Sequence, residues 1–242
     1  MKTFLPIAFF AILPTSPAWA GAVNGWGAAD GFGAVPVMKG TWLLDMRVNG
    51  VEPGVNLTAP TVNLVYGVAN GIEAGVGTNL NVNGVGSSTV ATSVDPVYPW
   101  VRAALPFSNK LINTGVMVGT LVPGYNTASG VLPGVTGLMD FNMGGGVISS
   151  LNLGYARQVA SGTNWTDANI SFTVPVGALT FYEEQFVNYP VSGYSDGGVR
   201  GQVCFPLREK VVLDVNLAGL WQSGSSGPAW SLNPNVGLCY TF

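Results

Sequence analysis

Histidine is missing from this chain altogether, cysteine occurs twice, and Asp, Glu, Lys and Arg together make up only 9% of the residues. The first absence removes the usual relay in which an imidazole takes a proton from a serine or cysteine nucleophile. A carboxylate pair could act without it, but Glu183 and Glu184 are neighbours, and successive residues of a strand point to opposite faces. The other acids are scattered, so the chain reads as no enzyme. Two cysteines and no histidine leave no soft metal site, and no metal or cofactor is expected. The low charge, against a usual share of about 25%, accompanies 48% hydrophobic residues and a mean hydropathy of +0.37. That composition is a poor coat for a soluble domain. Long apolar runs are also missing, since none reaches the roughly 20 residues that a spanning helix needs. With a net charge of -3 and no basic run, nothing in the chain suits a nucleic-acid partner. The stretch from Gly25 to Gly33 lacks the G-x-G-x-x-G spacing of a nucleotide loop. The 34 Gly and 16 Pro follow no fixed period, which fits neither collagen nor disorder.

What is present begins with an export signal. Lys2 opens the chain, Phe4 to Leu13 is apolar, and Ala18-Trp19-Ala20 is a small-x-small cleavage site before Gly21. Residues 1–20 therefore read as a signal peptide, with no Cys after the site to carry a lipid anchor. Residues 21–40, rich in Gly and Ala, show no clean period and read as a periplasmic lead-in or partial plug. Residues 41–242 read as a transmembrane β-barrel. Apolar surface that no helix can carry must lie on strands facing lipid.

The closing stretch shows the pattern most fully. Leu232, Pro234, Val236, Leu238, Tyr240 and Phe242 alternate with Asn233, Asn235, Gly237, Cys239 and Thr241. A strand of period two with one apolar and one small polar face separates an apolar phase from a wetter one. Taken alone, it would also suit the last strand of a secreted β-sandwich. The rest of the chain repeats the alternation in hairpins, with a tight Asn70-Gly71 turn, a Gly144-Gly145-Gly146 turn and a charged turn at Arg208-Glu209-Lys210. About twelve strands of roughly nine or ten residues emerge, with short turns at one end and longer loops at the other. The expected fold is an all-β, antiparallel, up-and-down transmembrane barrel. Aromatic residues near strand ends, among them Trp42, Tyr66, Tyr98, Trp100 and Tyr155, read as interfacial girdles.

The same alternation assigns the charges. Asp45, Arg47, Glu73, Arg102, Asp140, Glu184, Arg200 and Asp214 share the face opposite the apolar residues and are the candidates for lining the lumen. A charge on the lipid face costs ~2 to 4 kcal/mol at mid-bilayer, which favours that placement. Mixed signs fit mutual neutralisation as scaffolding, or a weakly selective constriction. The remaining inward positions are small, and about twelve strands lined by Gly and Asn should leave a narrow passage. Asp95, Asp167 and Asp196 read as solvated loop acids, with calcium the alternative. Cys204 and Cys239 fall on strands with one other between them, roughly 9 to 10 Å apart. A disulfide needs less than about 7 Å, so free thiols are expected.

The hairpin Val65-Tyr66-Gly67-Val68-Ala69-Asn70-Gly71-Ile72-Glu73-Ala74-Gly75 resembles the strand-turn-strand of outer-membrane transporter barrels of the phenol-degradation MetA type. The match covers these eleven residues. The resemblance implies a channel for small, often aromatic, solutes, with no defined site residues to carry over. The expected partners are outer-membrane lipid and a small-molecule solute. The alternative is a closed structural or adhesive barrel that acts through its outer loops.

Overall fold

The computed structural model describes residues 33–34, 36–49, 56–83, 91–94, 97–122, 131–159, 161–190, 196–224 and 227–242. The expected signal peptide, the lead-in up to residue 32 and Asp95 lie outside the described residues. Thirteen strands follow one another: β1 (Trp42–Asn49), β2 (Asn56–Ala69), β3 (Ile72–Asn83), β4 (Ala91–Val94), β5 (Tyr98–Ala104), β6 (Ile112–Leu121), β7 (Leu132–Gly144), β8 (Val147–Arg157), β9 (Asn164–Val176), β10 (Leu179–Pro190), β11 (Asp196–Arg208), β12 (Val211–Gly224) and β13 (Gly227–Thr241). Every pairing is antiparallel, and each long strand pairs with its sequence neighbours. β4 and β5 share one position. β4 pairs with the far half of β3 at Leu80 to Asn83, and β5 with the near half at Ile72 to Gly77. The sheet closes because β1 pairs with both β13 and β2, and β2 pairs in turn with β3. The result is a closed barrel of twelve staves with no open edge to aggregate.

Closure at the seam is reciprocal: the Trp42 amide donates to the Phe242 carbonyl at 2.9 Å, and the Phe242 amide to the Trp42 carbonyl at 3.0 Å. Trp42, Tyr66, Tyr240 and Phe242 then stack on the outer surface, with centroids 4.4 Å apart for Trp42 and Tyr66 and 5.5 Å for Tyr240 and Phe242. Those four form an aromatic band at the end that carries the short turns. Gly71 closes the first of these turns at φ +77°, a backbone that side chains avoid.

Alternation decides what each strand shows to the two phases. Val101, Val118, Leu153, Val199, Leu217 and Val236 are among the outward residues and are about half exposed, as a belt facing acyl chains requires. Their neighbours Arg102, Met117, Asn152, Arg200 and Asn216 are buried inside. Of the adjacent acids, Glu184 is buried, and Glu183 stands outside, accepting from the Gln185 amide at 2.9 Å.

Three expectations are corrected. Strands run longer than nine or ten residues: β2 and β12 have 14 and β13 has 15. Only residues 225–226 separate β12 from β13, so the Ser/Gly stretch there is mostly ladder. Hydrogen bonding to a neighbouring strand continues wherever a partner exists, whatever the composition suggests. Trp165 and Asp167 belong to β9 and not to a loop, because Trp165 pairs with Ala156 and Asp167 with Gly154. Asp196 is likewise the first residue of β11. Tyr98 and Trp100 are 1% and 4% exposed and turn inward, so they are no part of a girdle. Their parity is that of Arg102, with Pro99 and Val101 taking the lipid side.

Candidate functional site: the barrel interior

The eight charged candidates all lie on the interior face, each no more than 5% exposed. Buried charges persist only with partners, and the strand register brings those partners together in three groups.

The first group joins β1, β12 and β13. Arg47 Nε donates to Asp45 Oδ2 at 2.9 Å, and its Nη1 stands 3.9 Å from Asp214 Oδ1. Asn63 Nδ2 also donates to Asp45 Oδ2, at 3.3 Å. Gly237 lies between Asp214 and Arg47 in the ladder, and the Asp214 carboxylate occupies the space where a side chain at 237 would stand. Cys204 pairs with Asp214 across one seam, and Cys239 with Asp45 across another. Both cysteines are free and buried.

The second group joins β10, β11 and β9. Glu184 and Arg200 are direct cross-strand partners, with Arg200 Nη1 3.8 Å from Glu184 Oε2. Asn169 Nδ2 donates to the other oxygen of Glu184.

The third group holds the lead-in. Glu73 of β3 and Arg102 of β5 are direct partners, with Arg102 Nη2 at 2.6 Å from Glu73 Oε1. Arg102 Nη1 donates to the Gly33 carbonyl at 2.5 Å, and the Val37 amide donates to Glu73 Oε2 at 2.5 Å. Asp140 of β7 accepts from the Ala34 amide at 2.7 Å and from Ser150 Oγ at 2.8 Å. Ala34 and Val37 are both buried. The segment then meets the wall at Gly67, where the Gly40 amide donates to the Gly67 carbonyl at 2.8 Å. A Cβ at 67 would run into the Met38 carbonyl, so only glycine admits the chain this close.

A different surface adjoins the third group on β5 to β9. Trp100 lies over Gly75, with the Arg102 guanidinium 6.0 Å from its ring centroid. Tyr98 lies over Gly119, its hydroxyl 2.6 Å from where a Cβ would stand. Leu121, Leu132, Met117 and Ala156 belong to the same buried apolar cluster, and Trp165 packs against it. Asn63, Asn169 and Ser150 are interior residues that the sequence reading does not single out, and Tyr98 and Trp100 are interior residues that it sets in the girdle. Parity alone marks most of them. Asp167 joins them because β9 begins at Asn164.

Among the described residues no group of three or more His, Cys, Asp or Glu side chains could hold a metal ion. No family model matches the chain, and no curated protein matches it. Solved structures do. The NanC porin is 11% identical, with 81% of this chain and 98% of that chain covered, at a TM-score of 0.65. An outer membrane channel from Pseudomonas putida F1 is 9% identical, with 86% and 98% covered, at 0.66. The CymD monoaromatic hydrocarbon channel is 8% identical, with 85% and 89% covered, at 0.51. At such identities the likeness is one of architecture, and the chain has the fold of the outer-membrane channel barrels.

Proposed function

We propose that this chain is a bacterial outer-membrane channel for passive passage of small solutes, hydrophobic and aromatic ones included. The observation that carries this reading is the interior itself. Twelve staves enclose charges paired with one another and a lead-in held by hydrogen bonds, and twelve strands are wider than the eight whose interior side chains just fill. The residues lining the passage are the eight charged candidates, Asp45, Arg47, Glu73, Arg102, Asp140, Glu184, Arg200 and Asp214. Residues 33–34 and 36–40 narrow it from the end that carries the short turns, as a partial plug. The inward Tyr98, Trp100 and Trp165 support the choice of solute, together with the MetA-type hairpin around Asn70-Gly71 and the monoaromatic hydrocarbons for which the CymD channel is named. The absence of histidine supports a transport role without catalysis.

The closed structural or adhesive barrel is the second reading, and the near-complete burial of the charges favours it. Reconstitution in planar bilayers separates the two. Stable, discrete openings support the channel. A silent protein that still shows the heat-modifiable migration of a folded barrel supports the structural reading.

A further inference from the structure

Six carboxylates whose side chains are described face the barrel interior, and five of them meet a donor or a cation: Asp45, Glu73, Asp140, Glu184 and Asp214. Asp167 does not. Its Oδ2 is buried without a hydrogen-bond partner, and its only donor is its own backbone amide. No salt bridge from the described residues reaches it either.

The surroundings of Asp167 are equally distinct. Its carboxylate leans from β9 across Gly154 of β8 and fills the place of a side chain there. From the opposite side, Tyr98 leans from β5 across Gly119 of β6. Between them stands β7, whose Gly134 pairs with Gly119 and whose Thr136 pairs with Gly154. Phenol and carboxylate thus take the side-chain places of two glycines on either side of β7, where the inward residues are Gly134 and the small, buried Thr136. Trp165, one alternation step beyond Asp167 on the same strand, packs on the buried apolar cluster beside it.

A desolvated carboxylate without a counter-charge attracts a cation, and aromatic faces add to that attraction. A hard divalent ion requires six to eight oxygen ligands, and one carboxylate does not supply them. An anionic solute is repelled. We propose that Asp167, Tyr98 and Trp165 form a binding site for small organic cations, an ammonium on an apolar body, in the far half of the barrel from the lead-in. The site rests on the channel reading for the solute's route, and on its own geometry for the chemistry.

Calorimetric titration of the folded, detergent-solubilised barrel tests it, with benzyltrimethylammonium as the cationic probe and benzyl alcohol as the neutral one. The cation should bind saturably, and benzyl alcohol far more weakly. Asp167→Asn keeps the side chain's shape and should weaken cation binding about tenfold, by removing a desolvated charge. Trp165→Leu keeps the carboxylate and should weaken it by a smaller factor, which gives a second reading should Asp167→Asn fail to fold. Equal affinity for the cation in parent and Asp167→Asn, or equal affinity of the parent for both probes, overturns the site. Bilayer recordings on the same preparations keep the two readings apart. A silent barrel that binds the cation sinks the channel and leaves the site, and a conducting barrel that does not bind it sinks the site alone.

Discussion

Two walls of the same interior are built on different principles. The wall from β10 through β13 to β1 carries Glu184, Arg200, Asp214, Asp45 and Arg47, each set against an opposite charge on the same, an adjacent or a next-but-one strand. The wall from β5 to β9 carries Tyr98 and Trp100 over glycines, with Met117, Leu121, Leu132 and Trp165 in the same apolar cluster; its charges are Arg102 and Asp140, which hold the lead-in, and Asp167, which pairs with neither. Paired charges hold each other in place and are expensive to break. Rings over bare backbone leave room, and an uncompensated carboxylate there serves the fold nothing. Under the channel reading proposed above, the first wall is frame and the second is surface for solute.

The largest effect should come from breaking the frame. Arg47→Ala leaves Asp45 and Asp214 buried without their cation, a loss of about 3 to 5 kcal/mol. The folded fraction of heat-modifiable protein in lipid vesicles under increasing urea should fall accordingly. Arg47→Met combined with Asp45→Asn and Asp214→Asn should recover most of it, because no lone charge then remains.

A somewhat smaller loss is expected where neither wall is touched. Val101→Arg sets a charge on the half-exposed lipid side of β5, at ~2 to 4 kcal/mol if it lies near the bilayer midplane. The same urea titration should show impaired assembly, in contrast to interior substitutions that change permeation.

Arg102→Ala and Arg200→Ala come next, each removing one positive charge from the interior. Glu73 and Glu184 are then left with less compensation, so reversal potentials in a salt gradient should shift toward cations or conductance should rise. Unchanged values in both variants, on barrels that fold normally, would take these arginines out of the passage.

The smallest effect is expected at the cysteines. Cys204 and Cys239 sit on β11 and β13 with β12 between them. Their masses under reducing and non-reducing conditions should agree. A loss of two hydrogens would contradict the strand order.

Much of the fold is legible in the sequence because the barrel obeys one local rule. Val101 and Arg102, or Val199 and Arg200, can be told apart as lipid-side and interior residues with no knowledge of their partners. Strand ends are less legible. Thr166 and Asn164 look like loop residues, yet they pair with Tyr155 and Arg157, and Asp167 reads as a loop acid for the same reason. The lead-in is legible only as a segment without period. That Gly67 must be glycine to admit Met38 depends on contacts far apart in the chain, which no local pattern encodes. Which charges neutralise one another is likewise a matter of register between strands. The sequence alone therefore offers eight candidates with no means of grouping them.

The most direct test of a passage narrowed by residues 33–34 and 36–40 uses that same glycine. Gly67→Leu places a side chain where the Met38 carbonyl lies and should push the segment off the wall, with every charged group left in place. Single-channel recordings should then show larger openings than the parent, from protein with unchanged heat-modifiable migration. Identical conductance in parent and variant would contradict the account.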